Sequence, residues 1–91
     1  MKWSELKKEI TSLTPEEKAE LELMAAIAKI RKNKNITQEQ LAQRANVTQT
    51  QVARVENLTY APSLDTLTKI LIGLDLELGI VDRKTGKLVK V

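Results

Sequence analysis

The 91-residue sequence contains no cysteine, no histidine and no phenylalanine, and its only large aromatics are Trp3 and Tyr60. Without cysteine there are no disulfides, thiol nucleophiles or thiolate metal sites, and without histidine the commonest general base and zinc ligand are missing. Three glycines leave no Gly-rich phosphate loop. No apolar run reaches the about 18 residues of a membrane span, since even Leu21 to Ile30 is broken by Glu22 and Lys29. No signal-peptide core opens the sequence either. These absences lead us to expect a cytoplasmic protein that uses no metal, no cofactor and no small-molecule substrate. With 42% hydrophobic residues and almost no aromatics, the core must come from Leu, Ile, Val, Ala and Met, which favours one domain of packed helices.

Glu16, Glu17, Glu20 and Glu22 cluster, but they fall in the first two turns of an expected helix, where carboxylates complement the helix dipole. No nucleophile is paired with a base, so an enzyme is not expected.

The net charge of +3 is unevenly spread. Residues 1–22 are acidic overall, residues 23–36 carry Lys29, Arg31, Lys32 and Lys34 with no acid, and residues 37–58 balance Glu39 and Glu56 against Arg44 and Arg54. The basic band has two readings: cations complementing a helix C-terminus, which is the commoner cause, or support for phosphate contact at Lys29, Arg31 and Lys32.

Trp3, Leu6, Ile10 and Leu13 recur at spacings of three and four, as on a short amphipathic helix over residues 1–13. Thr14-Pro15-Glu16-Glu17 then combines a capping hydroxyl, a proline suited to the first helical position and a Glu that reaches back to the cap, so a long helix should run from Pro15 to about Lys32. Thr37 with Gln40 and Thr48 with Gln51 repeat the cap pattern 11 positions apart, which makes both following helices short. Ser63 opens a last helix whose stripe of Leu64, Leu67, Ile70, Leu71 and Leu74 ends near Gly73 or Leu74. From Leu76 the period drops to two, through Leu78 and Ile80 and again from Leu88 to Val91. Asp82 to Gly86 supplies a turn between these two strands, with Gly86 suited to positive φ. The expected fold is thus mostly α, five helices with a C-terminal β-hairpin. The segments are 1–13, 14–75 and a β appendage at 76–91.

Two short helices joined by about three residues are the pattern of a helix-turn-helix over residues 37–57. Leu41, Ala45, Val47, Val52 and Val55 are spaced to share a core, Ala42 is small enough for close crossing, and Asn46 tolerates a left-handed turn. Opposite Val52 and Val55 lie Gln49, Thr50, Ala53, Arg54 and Asn57. An amide can read adenine, a guanidinium guanine and a Thr methyl thymine. Gln38, at the start of the first short helix, is placed to hold a phosphate. Simple solvation of an exposed helix accounts for one such face, but caps, small residue and turn in this order favour groove reading.

Residues 27–74 resemble the helix-turn-helix of the XRE, or Cro/C1-type, repressors. The likeness is carried by Ile36-Thr37-Gln38-Glu39-Gln40-Leu41-Ala42, Val47-Thr48-Gln49, Arg54-Val55-Glu56-Asn57 and Pro62-Ser63-Leu64-Asp65-Thr66-Leu67. Carried over by position, it implies five-helix architecture, base contacts at Gln49, Thr50 and Arg54, phosphate contacts at Gln38 and Asn57, and support from Gln51. Asn46 and Leu58 depart from the family, standing where glycine is usual. The order of Lys2-Trp3-Ser4-Glu5-Leu6-Lys7, Leu13-Thr14-Pro15-Glu16-Glu17, this motif and a β tail is similar to HigA-type antitoxins. That resemblance implies a homodimeric autorepressor of double-stranded operator DNA that also neutralises a small RelE-like toxin. A free-standing XRE-type repressor and a protein-interaction adaptor remain the alternatives.

The ends keep two readings each. Trp3, Leu6 and Ile10 either pack on the chain's own long helix or anchor a partner protein. A two-stranded tail has unpaired edges, which a second copy could complete through Leu78, Ile80, Leu88, Val89 and Val91. Otherwise the tail caps its own core or joins a toxin sheet.

Overall fold

The computed structural model describes residues 13–58 and 61–89. The helix expected over residues 1–13 falls outside them but for its last residue, with Trp3, Leu6 and Ile10; so do Tyr60 and Val91. Among the described residues there are four helices and two strands: α1 (Pro15–Asn33), α2 (Gln38–Ala45), α3 (Gln49–Glu56), α4 (Leu64–Gly73), β1 (Ile80–Val81) and β2 (Leu88–Val89). None of the helices is long and apolar enough to cross a membrane.

Each helix begins at the hydroxyl residue expected of it. Thr14, Thr37 and Thr48 accept from the backbone N–H three residues on at 3.1, 3.0 and 3.1 Å, and their own N–H groups donate to the side chains of Glu17, Gln40 and Gln51. The Ser63 Oγ accepts from the Thr66 N–H at 3.2 Å. Such a cap contributes about 1 kcal/mol by satisfying amides that a helix start otherwise leaves unpaired.

The helix ends are less expected, because none of the four has a glycine just beyond it. Asn35, Asn46, Leu58 and Asp75 take the left-handed conformation at φ 58°, 55°, 59° and 60°. After α1, α2 and α4 the chain closes in the same double hydrogen bond, with the next N–H reaching back five residues: Ile36 to Arg31 O, Val47 to Ala42 O and Leu76 to Leu71 O. The apolar residue that donates this bond also packs inward, so the closure ties each turn to the core.

That core is assembled from all four helices. Ile27 of α1, Leu41 of α2, Val52 and Val55 of α3, Ile70 of α4 and Leu74 just beyond it are all almost fully buried. Each is worth about 1.5–3 kcal/mol of apolar burial. α4 passes close against α2, where a Cβ on Gly73 would lie 3.1 Å from both the Ala45 backbone N and Leu41 Cδ1. Ala42 and Ala45 are buried beside it.

The β appendage is shorter than its sequence pattern. Only Ile80↔Val89 and Val81↔Leu88 pair, antiparallel. Residues 76–79 are not strand. The reason lies at Leu76, whose N–H closes the end of α4 and whose side chain packs on the helical core, so the chain is held there before it can enter a ladder. The turn itself matches expectation: Gly86 has φ 70°, its N–H donates to Asp82 O at 2.7 Å, and Asp82 Oδ1 accepts from the Lys84 N–H at 2.8 Å.

Candidate nucleic-acid interface

Asn46, Val47 and Thr48 make the turn between α2 and α3, and each has one job. Asn46 reverses the backbone at φ 55°, ψ 45°, Val47 is half-buried against the core, and Thr48 caps α3. Val52 and Val55 then fix the inner side of α3 with no exposed surface. At about 100° per residue the opposite side must carry the sequence-predicted contact residues. Gln49, Thr50, Arg54 and Asn57 are exposed there, and Ala53 is half-buried among them. Long side chains thus flank a centre lined by small ones. A helix with this relief fits a groove edge better than a flat surface, and the B-form major groove admits an α-helix.

The far end of α3 is held by an ion pair. Glu56 Oε2 and Oε1 accept from Arg31 Nε at 2.6 Å and Arg31 Nη2 at 2.8 Å, while Arg31 Nη1 donates to the Ile36 carbonyl at 2.7 Å. Glu56 Oε1 also accepts from the amide of Gln38 at 3.1 Å. The side chains of Arg31 and Glu56 are only 10% and 5% exposed. The hydrogen bonding that Arg31 donates to Glu56 holds the guanidinium above its ordinary pKa, against the opposing effect of burial and with help from the carboxylate charge. Arg31, expected from the basic band to support phosphate contact, is therefore turned into the protein, unlike Lys29 and Lys32, which are exposed along α1.

This pair alters the charge of the surface. Glu56 is the one acid of α3, and it is neutralised below the surface, so the even charge balance of residues 37–58 is not what the outside sees. Exposed there are Arg44 and Arg54 against Glu39 alone. The sequence reading missed Glu56 as the organising residue, because its partner is 25 positions away and no local spacing marks the two as neighbours.

The supporting residues sort differently. Gln38 is the first residue of α2 and half-buried, with its amide on Glu56. The carbonyl oxygen of Gln51 accepts from both the N–H and the hydroxyl of Thr48 at 2.9 and 3.2 Å, so this side chain is occupied as a cap. Asn57 is the exposed residue that ends α3. The hairpin lies apart from this face in the chain and is apolar and open: Leu78, Ile80, Leu88 and Val89 are half to two-thirds exposed, and Val81, which the sequence reading did not single out, is 60% exposed.

The fold and this face place the chain among DNA-binding helix-turn-helix proteins. The family model for the helix-turn-helix matches residues 27–81, and the chain belongs to that family. Among solved structures, it is similar to a chain from a toxin-antitoxin module of Streptococcus pneumoniae, with 30% identity and a TM-score of 0.64 over 90% of this chain and 93% of the other. It is also similar to a mutant of a restriction-modification controller protein, with 31% identity and a TM-score of 0.58 over 60% of this chain and 71% of the other. No curated protein sequence matches.

Proposed function

We propose that this protein is the antitoxin of a type II toxin-antitoxin pair, of the HigA type, and the autorepressor of its own operon. The reading is carried by one observation: the likeness to a chain of a toxin-antitoxin module extends over 90% of this protein, well beyond the helix-turn-helix match that ends at residue 81 and begins at 27. Gln49, Thr50 and Arg54 read bases from α3, Gln38 through the backbone N–H at the start of α2 and Asn57 hold phosphates, and Lys29 and Lys32 add long-range attraction. The partner is a small RelE-like ribonuclease, and Trp3, Leu6 and Ile10 anchor it.

A homodimer fits this role. Among the described residues the two strands leave both edges of the sheet unpaired and present Leu78, Ile80, Leu88 and Val89 to solvent, a combination that a second copy removes. Two-fold pairing would set two α3 helices about 34 Å apart, one helical turn of DNA. Both partners place its action in the cytoplasm.

The test is expression of the small protein encoded beside this one, alone and together with it. Growth arrest with RNA cleavage when the neighbour is expressed alone, relieved by this chain and not by a Trp3→Ala variant that folds normally, is the expected result. No arrest, or arrest that this chain does not relieve, removes the antitoxin role. The likeness to a controller protein favours a second reading, a free-standing XRE-type repressor, which binds its operator without any toxin beside it.

A further inference from the structure

We infer that the outer face of α4 is a self-association surface, on which α4 of a second copy lies antiparallel. Leu64 and Ile72 are 67% and 63% exposed, although their helix gives Ile70 and Leu71 to the core. At about 100° per residue, Leu64, Thr68 and Ile72 fall within one arc of about 80°. The buried Thr66, Ile70 and Gly73 lie on the other side of the helix. Thr68 does not break this stripe as a free polar group would. Its hydroxyl donates to the Leu64 carbonyl at 2.7 Å, so covering it strands no donor.

The pattern is self-complementary, which is what a two-fold contact requires. Thr68 is the midpoint of the stripe, equally far along the chain from Leu64 and Ile72. When a second α4 is laid on it antiparallel with the two Thr68 residues level, Leu64 of each copy meets Ile72 of the other. The charges obey the same rule. Asp65 and Lys69 lie along one flank of the stripe and pair at 3.2 Å within the helix. A two-fold axis across the helices reverses their direction and keeps that flank on its own side. Each Asp65 then comes within about 3 Å, measured along the axis, of the level of Lys69 in the second copy. Each carboxylate is thereby nearer to two ammonium groups than to the other carboxylate. A parallel arrangement would set Asp65 against Asp65 and Lys69 against Lys69.

The size of the stripe sets its strength. Three side chains and one charged flank fall well short of the about 800 Å² that each partner of a stable interface buries. The contact is therefore weak in dilute solution and forms where copies are already held close together. A copy paired through its hairpin still has α4 open for it, so the two surfaces can join one pair to another.

The chain has no cysteine, so Thr68→Cys gives the full-length protein a single thiol at the two-fold axis. Under a mild oxidant at high protein concentration, disulfide-linked dimer should form about tenfold faster than for Gln43→Cys, an exposed position on α2. Adding Asp65→Lys should slow the Thr68→Cys reaction about threefold with circular dichroism unchanged, and Lys69→Asp on top of it should restore the rate. Equal rates for the two single-cysteine chains, or a rate that the charge reversal leaves unchanged, would overturn the contact. If Thr68→Cys does not link while Ile72→Glu stops the chain from retaining the protein encoded beside it, the face belongs to that partner and the self-contact is wrong.

Discussion

Arg31 near the end of α1 and Glu56 at the end of α3 meet in a two-pronged ion pair, 2.6 and 2.8 Å long, that closes the side of the helix-turn-helix. The pair decides how α3 leaves the core, since Val52 and Val55 fix only its inner side. Removing one partner of a buried pair strands the other charge and costs about 3–5 kcal/mol. Glu56→Gln should therefore lower the melting temperature by roughly 12–40 °C for a domain of this size. Replacing both at once, Arg31→Met with Glu56→Leu, should recover most of the loss, because no charge is then left unpaired. Thermal unfolding followed by circular dichroism checks both, and a Glu56→Gln protein that melts with the wild type would show the pair to be ornamental.

Asp75 stands in the left-handed region and is exposed, with its carboxylate beside the negative end of α4. Both features are unfavourable, and glycine removes both. We expect Asp75→Gly to stabilise the protein by about 0.5–1 kcal/mol, since the relief of about 1–2 kcal/mol at a left-handed position exceeds the added freedom of the unfolded chain. Leu58→Gly should gain less or lose stability, because the Leu58 side chain is half-buried against the core. Equal shifts for both in denaturant titration would contradict this distinction.

Lys29 and Lys32 are exposed on α1, whereas Arg31 is consumed by Glu56. Changing both lysines to Gln should reduce the slope of log Kd against log salt by about 1–2 if they lie near phosphates. The slope is the informative quantity, because the fold keeps its ion pair in this variant. An unchanged slope assigns the two lysines to the C-terminal turns of α1 alone.

Residues 79–91 can be removed without disturbing Leu76, whose N–H closes α4. The shortened chain should keep its melting transition at high concentration but run as a monomer in size-exclusion chromatography with light scattering, and bind operator at least tenfold more weakly. A dimer that survives the deletion would place the contact elsewhere on the chain.

Much of this architecture is legible in the sequence, because capping is local chemistry. Thr14, Thr37, Thr48 and Ser63 each mark the first turn to the residue, and Asn46 announces the reversal that separates α2 from α3. The exposed face of α3 follows from two buried valines and the helical repeat. What the sequence conceals depends on packing between distant segments. Arg31 sits among three lysines and looks like them, and only the approach of Glu56 sets it apart. Leu76 fits an alternating strand pattern, yet the end of α4 claims it first. Gly73 reads as a helix stop, while its role is to let α4 press against Ala45. Leu58 stands where glycine is usual and keeps the left-handed turn without it, its side chain held against the core.

The central claim is that the outer face of α3 reads a specific operator, and titration of labelled upstream DNA tests it most directly. The purified chain, Gln49→Ala and Arg54→Ala are titrated at two salt concentrations against that fragment and an unrelated one of equal length. The account predicts selective binding by the wild type, and in each variant a loss of about 1–3 kcal/mol of that preference with nonspecific binding retained. Equal binding to both fragments by the wild type, or selectivity undiminished in both variants, would contradict it.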